Sequence, residues 1–167
     1  MMCTTRLFIT WMFMFVGTLP VAAQVAKQPS LKISGEVAKP VELTASQFDT
    51  MKKTTAILED RDGKNHAYKG VSVQEILGLA GVTTGDQLRG EHLTKYVLAK
   101  CADGYEVLFS LAELDSAFTK RVTILADEVD GTQLPVGKGP FRLIVPGERR
   151  PARSCFQVTE FVVKYAK

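Results

Sequence analysis

Glycine-centred turns that each open into an apolar strand constrain this chain more tightly than any other feature it carries. Asp62-Gly63, Asp103-Gly104 and Asp130-Gly131 are short polar-glycine pairs of the kind a tight hairpin needs where its backbone takes positive φ. Gly137 to Gly147 brackets a fourth apolar stretch, Phe141 to Val145. Leu31 to Val37 and Phe156 to Tyr165 alternate apolar and polar residues, as half-buried strands do, while Thr54 to Glu59, His66 to Val71, Tyr96 to Cys101, Tyr105 to Phe109 and Val122 to Glu128 read as strands from the turns they flank. Pro40 breaks the first pattern.

Three helix starts are written into the same stretch. Thr44-Ala-Ser-Gln47, Ser72-Val-Gln-Glu75 and Ser110-Leu-Ala-Glu113 each place a hydroxyl three residues before a side chain that reaches back, which is the capping-box pattern. Gly81 supplies a stop for the helix expected over Val73 to Ala80. Strands dominate and the helices are short inserts, so the expected class is α+β in a single domain.

The first 23 residues read differently. Arg6 precedes the apolar run Leu7 to Val16, then come Gly17, Pro20 and the small residues Val21-Ala-Ala23, the pattern of a secretory signal cleaved after about Ala23. The apolar run is shorter than the roughly 20 residues a membrane-spanning helix requires. Residues 24–30 are expected to be a flexible leader and residues 31–167 the folded domain, in a periplasmic or secreted location. Removing the signal takes away one of the 21 basic residues against 18 acidic ones, leaving a nearly neutral protein. That balance argues against nucleic acid as a partner.

Of three cysteines, Cys101 and Cys155 would remain. No Cys-x-x-Cys is present and the two histidines, His66 and His92, stand apart, so no metal signature emerges. An exported protein meets oxidising conditions, and Cys101–Cys155 is a candidate disulfide, the alternative being two small buried apolar side chains. His66 reads as a satisfied strand or surface residue.

Taken in order, Gly35-Glu-Val37 with Pro40, Tyr68-Lys-Gly-Val71, Asp103-Gly-Tyr105, Ile124-Leu-Ala126 with Asp130-Gly131 and Leu134-Pro135, then Gly139-Pro-Phe-Arg-Leu-Ile-Val-Pro-Gly147, resemble the molybdopterin-binding domain of the sulfite oxidase family over residues 31 to 167. The resemblance implies a sulfite-oxidase-like fold. It also implies a cysteine thiolate on molybdenum in the early hairpin, but the corresponding stretch reads Ala56-Ile-Leu-Glu-Asp-Arg61. Where the family's enzymes carry a Lys-Trp pair after the Pro-Gly turn, this chain has Cys155-Phe156, and only Thr83 to Thr94 stands where they insert a longer segment.

Some of the family's site is retained. Tyr105 occupies the place of the tyrosine on the substrate side, with Asp103 in the same turn, and Arg142 keeps the strand arginine. Tyr105 is equally readable as an aromatic bracing a hairpin, and Arg142 as a structural ion pair. Arg149, Arg150 and Arg153 crowd the segment after the Pro-Gly turn as cationic donors or as a solvated loop. Phe141 and Phe156 join Tyr105 as candidate stacking rings, because Trp11, the sole tryptophan, lies in the signal.

The resemblance extends to periplasmic, cysteine-lacking members that bind pterins as partners of membrane-bound signalling enzymes. The expectation is therefore a non-catalytic module for a pterin-like heterocycle, with the molybdenum cofactor disfavoured and no catalytic or metal-ligating residue assigned. The rival is a molybdenum-cofactor-dependent oxidoreductase with atypical ligation.

Overall fold

The computed structural model describes residues 29–166; the expected export signal, residues 1–23, and most of the expected leader lie outside the described residues. The chain is an α+β fold of two strand layers. One sheet runs β2 (Val41–Thr44), β1 (Ser30–Gly35), β10 (Val158–Tyr165), β5 (Lys95–Cys101), β6 (Glu106–Ser110). The other runs β3 (Thr54–Glu59), β4 (Asn65–Ser72), β7 (Ile124–Val129), β8 (Thr132–Gln133), with β9 (Arg142–Ile144) also on β7. β1 begins at Ser30, the last residue of the expected leader, which pairs with Thr44.

The hairpins form where the glycine turns stand. Asp130 and Gly131 both have positive φ, 48° and 79°, which closes β7 onto β8 with a two-residue turn. Two close approaches require glycine for another reason. A Cβ on Gly70 would stand 2.0 Å from the Leu125 carbonyl oxygen, and one on Gly35 would stand 2.1 Å from that of Val163. These contacts pack β4 onto β7 and β1 onto β10.

All three helix starts are capped. Thr44 and Ser110 accept from the third residue's N–H while Gln47 and Glu113 reach back, opening α1 (Ala45–Thr50) and α3 (Leu111–Leu114). Ser72 accepts from Glu75 at the start of α2 (Val73–Leu79), and Gly81 follows at positive φ.

The larger core cluster lies mainly under the first sheet and α2, with Leu31, Ile33, Phe48, Ile76, Phe109 and Phe161 among its buried members. A smaller cluster of Ala56, Leu58, Tyr68, Ile124, Ala126 and Ile144 belongs to the second sheet. Among the described residues no helix is long and apolar enough to cross a membrane.

The two layers are joined by the strap that precedes β10. Leu143 N–H donates to the Cys155 carbonyl (2.9 Å), Val158 N–H to Phe141 (3.0 Å) and Ala102 N–H to Gln157 (2.9 Å). Gln157 adopts φ 53°, the left-handed turn that lets the strap bend into β10. Residues 154–157 are therefore anchored to both sheets, and the candidate site opens beside them.

Candidate functional site

A cleft of about 420 Å³ opens along the β3–β4 hairpin and reaches the strap at Phe156. Its floor is Arg142, only 2% exposed. β9 pairs with β7 and forms a bridge from Arg142 to Phe156, which aims the guanidinium back toward β4. There it meets Asp60 in a fork: Nη1 donates to Oδ2 at 2.6 Å and Nη2 to Oδ1 at 3.2 Å. Nη1 also donates to the Tyr68 hydroxyl, which in turn donates to Asp60 Oδ2 at 2.9 Å.

Aromatic rings complete the seat of this ion. The guanidinium carbon lies 4.0 Å from the Phe156 ring centroid and 4.8 Å from that of Tyr68. A buried cation is tolerable only when paired and hydrogen-bonded, and here three groups share that task. The arginine fork holds the Asp60 carboxyl well below the usual carboxylate range. Burial, helped by the neighbouring Asp60 carboxylate, pushes the Tyr68 phenol up to about 12. Both groups thus keep their ordinary ionisation near neutrality, Asp60 charged and Tyr68 neutral.

The outer wall is more polar. His66 Nδ1 stands 2.6 Å from Asp130 Oδ2, and Nε2 3.0 Å from Asp62 Oδ2. The two carboxylates, Asp130 first, raise the His66 pKa, and His66 in turn lowers theirs. Lys138 lies across the cleft, 5.5 Å from the Phe156 centroid.

A second cavity, about 230 Å³, adjoins the first and shares Arg61 and Phe156 with it. Cys101, Asp103, Tyr105 and Cys155 line it, and the Tyr105 hydroxyl donates to the Ala152 carbonyl at 3.1 Å. Cys101 and Cys155, the candidate disulfide, are both free thiols whose side chains face the same cavity.

The candidates from sequence divide accordingly. Arg142, Tyr105, Cys155, Phe156 and Asp103 come together around the two cavities. The Asp103 carboxylate nevertheless serves the turn, accepting the Tyr105 N–H at 2.9 Å. Phe141 stands apart: it is 2% exposed and packs on Phe48 with centroids 4.8 Å apart, because neighbouring strand residues face opposite ways and Arg142 faces the cleft. Arg149 is exposed and lines neither cavity. Arg153 lies in a carboxylate network, bonded to Glu148 and to Glu113, with its guanidinium 4.5 Å from the Phe109 ring.

Cleft residues that were not singled out as ligand contacts include Asp60, Asp62, Tyr68, Asp130 and Lys138. Tyr68 carries the one available signal, an inward place on β4 opposite Ala56. Asp60 is brought in only by pairing across 82 positions of sequence.

Comparison with known proteins agrees with this architecture. The family described as the oxidoreductase molybdopterin binding domain matches residues 59–150. Among solved structures, the sulfane dehydrogenase SoxCD from Paracoccus pantotrophus is similar, with a TM-score of 0.66 and 23% identity over 87% of this chain. The match spans 40% of that longer chain. No protein of curated function matches. A family match over more than half the sequence, on two sheets with the same overall arrangement, makes the chain a member of the oxidoreductase molybdopterin binding domain family with a sulfite-oxidase-like fold.

Proposed function

We propose that this protein is an exported, non-catalytic binding module for a pterin-type heterocycle, acting with a membrane-bound signalling partner. The observation that carries the proposal is the chemistry at the end of β3. Where the family's resemblance calls for a metal-binding thiolate, the segment delivers Asp60, with both carboxylate oxygens bonded to Arg142.

The residues present do not fit the molybdenum cofactor. The family resemblance implies a cysteine thiolate as the metal's protein ligand, and the residue that follows β3 is instead a carboxylate already held in an ion pair. Arg142 is matched by Asp60 and so is not free for a phosphate, which leaves Arg61 and Lys138 as the cleft's cations outside any ion pair among the described residues. A flat, uncharged ring suits the cleft better. Its volume lies within the range of small-molecule sites, roughly 300–1,000 Å³. Phe156 offers a ring for stacking, and Asp62 and Asp130 offer acceptors to the adjacent N–H groups of a 2-amino-4-oxo heterocycle. No bond is made or broken in this reading; the residues bind and orient.

One observation favours the second reading, a molybdenum-dependent oxidoreductase with atypical ligation. The thiols of Cys101 and Cys155 line the adjoining cavity beside Tyr105, so the soft donors exist on a different part of the fold. Titration of the purified protein with neopterin, followed by intrinsic pterin fluorescence, separates the readings. Saturable binding that Phe156→Ala weakens by about tenfold, the loss of roughly one stacking contact, supports the module. Absence of binding in protein freed of any endogenous ligand overturns it.

A further inference from the structure

The cysteine pair forms a chemical centre that heterocycle binding does not use. Cys101 closes β5, where its N–H donates to the Tyr105 carbonyl at 2.9 Å. Cys155 sits in the strap, its carbonyl accepting from Leu143 at 2.9 Å. Two separately anchored segments therefore bring both cysteines to the wall of one small cavity, as neighbours whose thiols influence each other. Only 6% and 5% of these residues is exposed, and the exposed part faces the cavity of about 230 Å³ with Arg61 and Tyr105 on its walls. A purely structural pair would be sealed into the core; this one has an opening.

We propose that Cys101 and Cys155 form a reversible dithiol–disulfide couple that exchanges electrons, through this cavity, with a disulfide of a small thiol or of a partner protein. The steps balance as ordinary thiol–disulfide exchange. The Cys101 thiolate attacks one sulfur of the incoming disulfide, forming a mixed disulfide and expelling the other sulfur as a thiolate that takes up a proton. Cys155 gives up its proton and attacks Cys101 Sγ, forming the Cys101–Cys155 bond and releasing the second thiolate. The protein loses two electrons and two protons, and the external disulfide becomes two thiols.

The two sulfurs have different roles. The neighbouring Cys155 thiol stabilises charge on Cys101 and lowers its pKa, while the same neighbour and burial raise that of Cys155. Thiolate character sets reactivity, so Cys101 attacks first and Cys155 resolves. The inference does not depend on what fills the neighbouring cleft.

The test equilibrates the folded protein in glutathione buffers of graded redox poise, quenches with acid, alkylates with a maleimide and reads the intact mass. The expected result is two species whose masses differ by two labels and that interconvert reversibly while the near-ultraviolet circular dichroism shows the fold intact. In Cys155→Ser, Cys101 is trapped as the glutathione mixed disulfide. In Cys101→Ser, the remaining thiol reacts at least about tenfold more slowly. A label count that does not change across the buffers overturns the couple, as does a disulfide that can be reduced only after unfolding. Equal rates in the two variants overturn the assignment of Cys101 as the attacking sulfur. If either variant fails to fold, the label count of the unsubstituted protein still decides whether the couple exists.

Discussion

Replacing Asp60 with asparagine preserves the size of the side chain but removes the charge facing Arg142, and it turns part of the acceptor fork into a donor. The Arg142 guanidinium, with 3% of its side chain exposed, would then lie over two rings without a counter-charge. Removing one partner of a buried ion pair costs about 3–5 kcal/mol. Asp60 itself retains 16% of its side-chain exposure, so water relieves part of the penalty and the lower end, about 3 kcal/mol, is expected. With a urea dependence of about 1.5 kcal/mol per molar, the unfolding midpoint falls by about 2 M with no change in slope. Adding Arg142→Met to Asp60→Asn removes the stranded cation and recovers much of the loss. The pH dependence has a definite sign. Because the folded pKa of Asp60 is depressed, its contribution is complete above the ordinary carboxylate value of about 4 and fades as the pH falls below it. The gap between parent and variant should therefore narrow in acid. A loss below about 1 kcal/mol at neutral pH, or a double variant weaker than the single one, would refute the claim that Asp60 and Arg142 form one buried unit.

Other perturbations test other parts of the structure. Gly70→Ala drives a Cβ to 2.0 Å from the Leu125 carbonyl oxygen, and soluble yield or thermal melting should show a loss of at least about 3 kcal/mol; a near-neutral effect would contradict the β4–β7 packing. Ser110→Ala removes the acceptor for Glu113 N–H and should cost about 1 kcal/mol in urea unfolding, with an unchanged midpoint speaking against the cap. His66 has a raised pKa in the folded protein, so its stabilising effect is full below about 6.5 and disappears as the pH rises through the folded value. Melting of His66→Gln against the parent from about pH 5 to 9 checks this, and a pH-independent difference would count against the Asp62–His66–Asp130 contact.

Local signals in the sequence were strong enough to place most of the scaffold. Polar-glycine turns and capping residues act within a few positions of themselves, so the β3–β4 and β5–β6 hairpins and all three helix starts were readable. β2 was not, because four residues beginning just after Pro40 carry too little alternation to mark a strand. Nor does anything local say that β1 lies parallel to β10, with Lys32 opposite Glu160. The site follows the same division. Arg142 and Phe156 stand out in the sequence, but the strand phase that turns Arg142 into the cleft also turns Phe141 into the core. Asp60 looks like a hairpin residue until β9 sets Arg142 against it.

The central claim is that a cleft inherited from a molybdopterin-binding family holds a small ring without the metal. Protein purified from cells able to make the molybdenum cofactor, analysed for molybdenum and then denatured to release bound fluorophores, tests it most directly. The account predicts pterin fluorescence in the supernatant and molybdenum far below one atom per chain. Molybdenum near one atom per chain would contradict it.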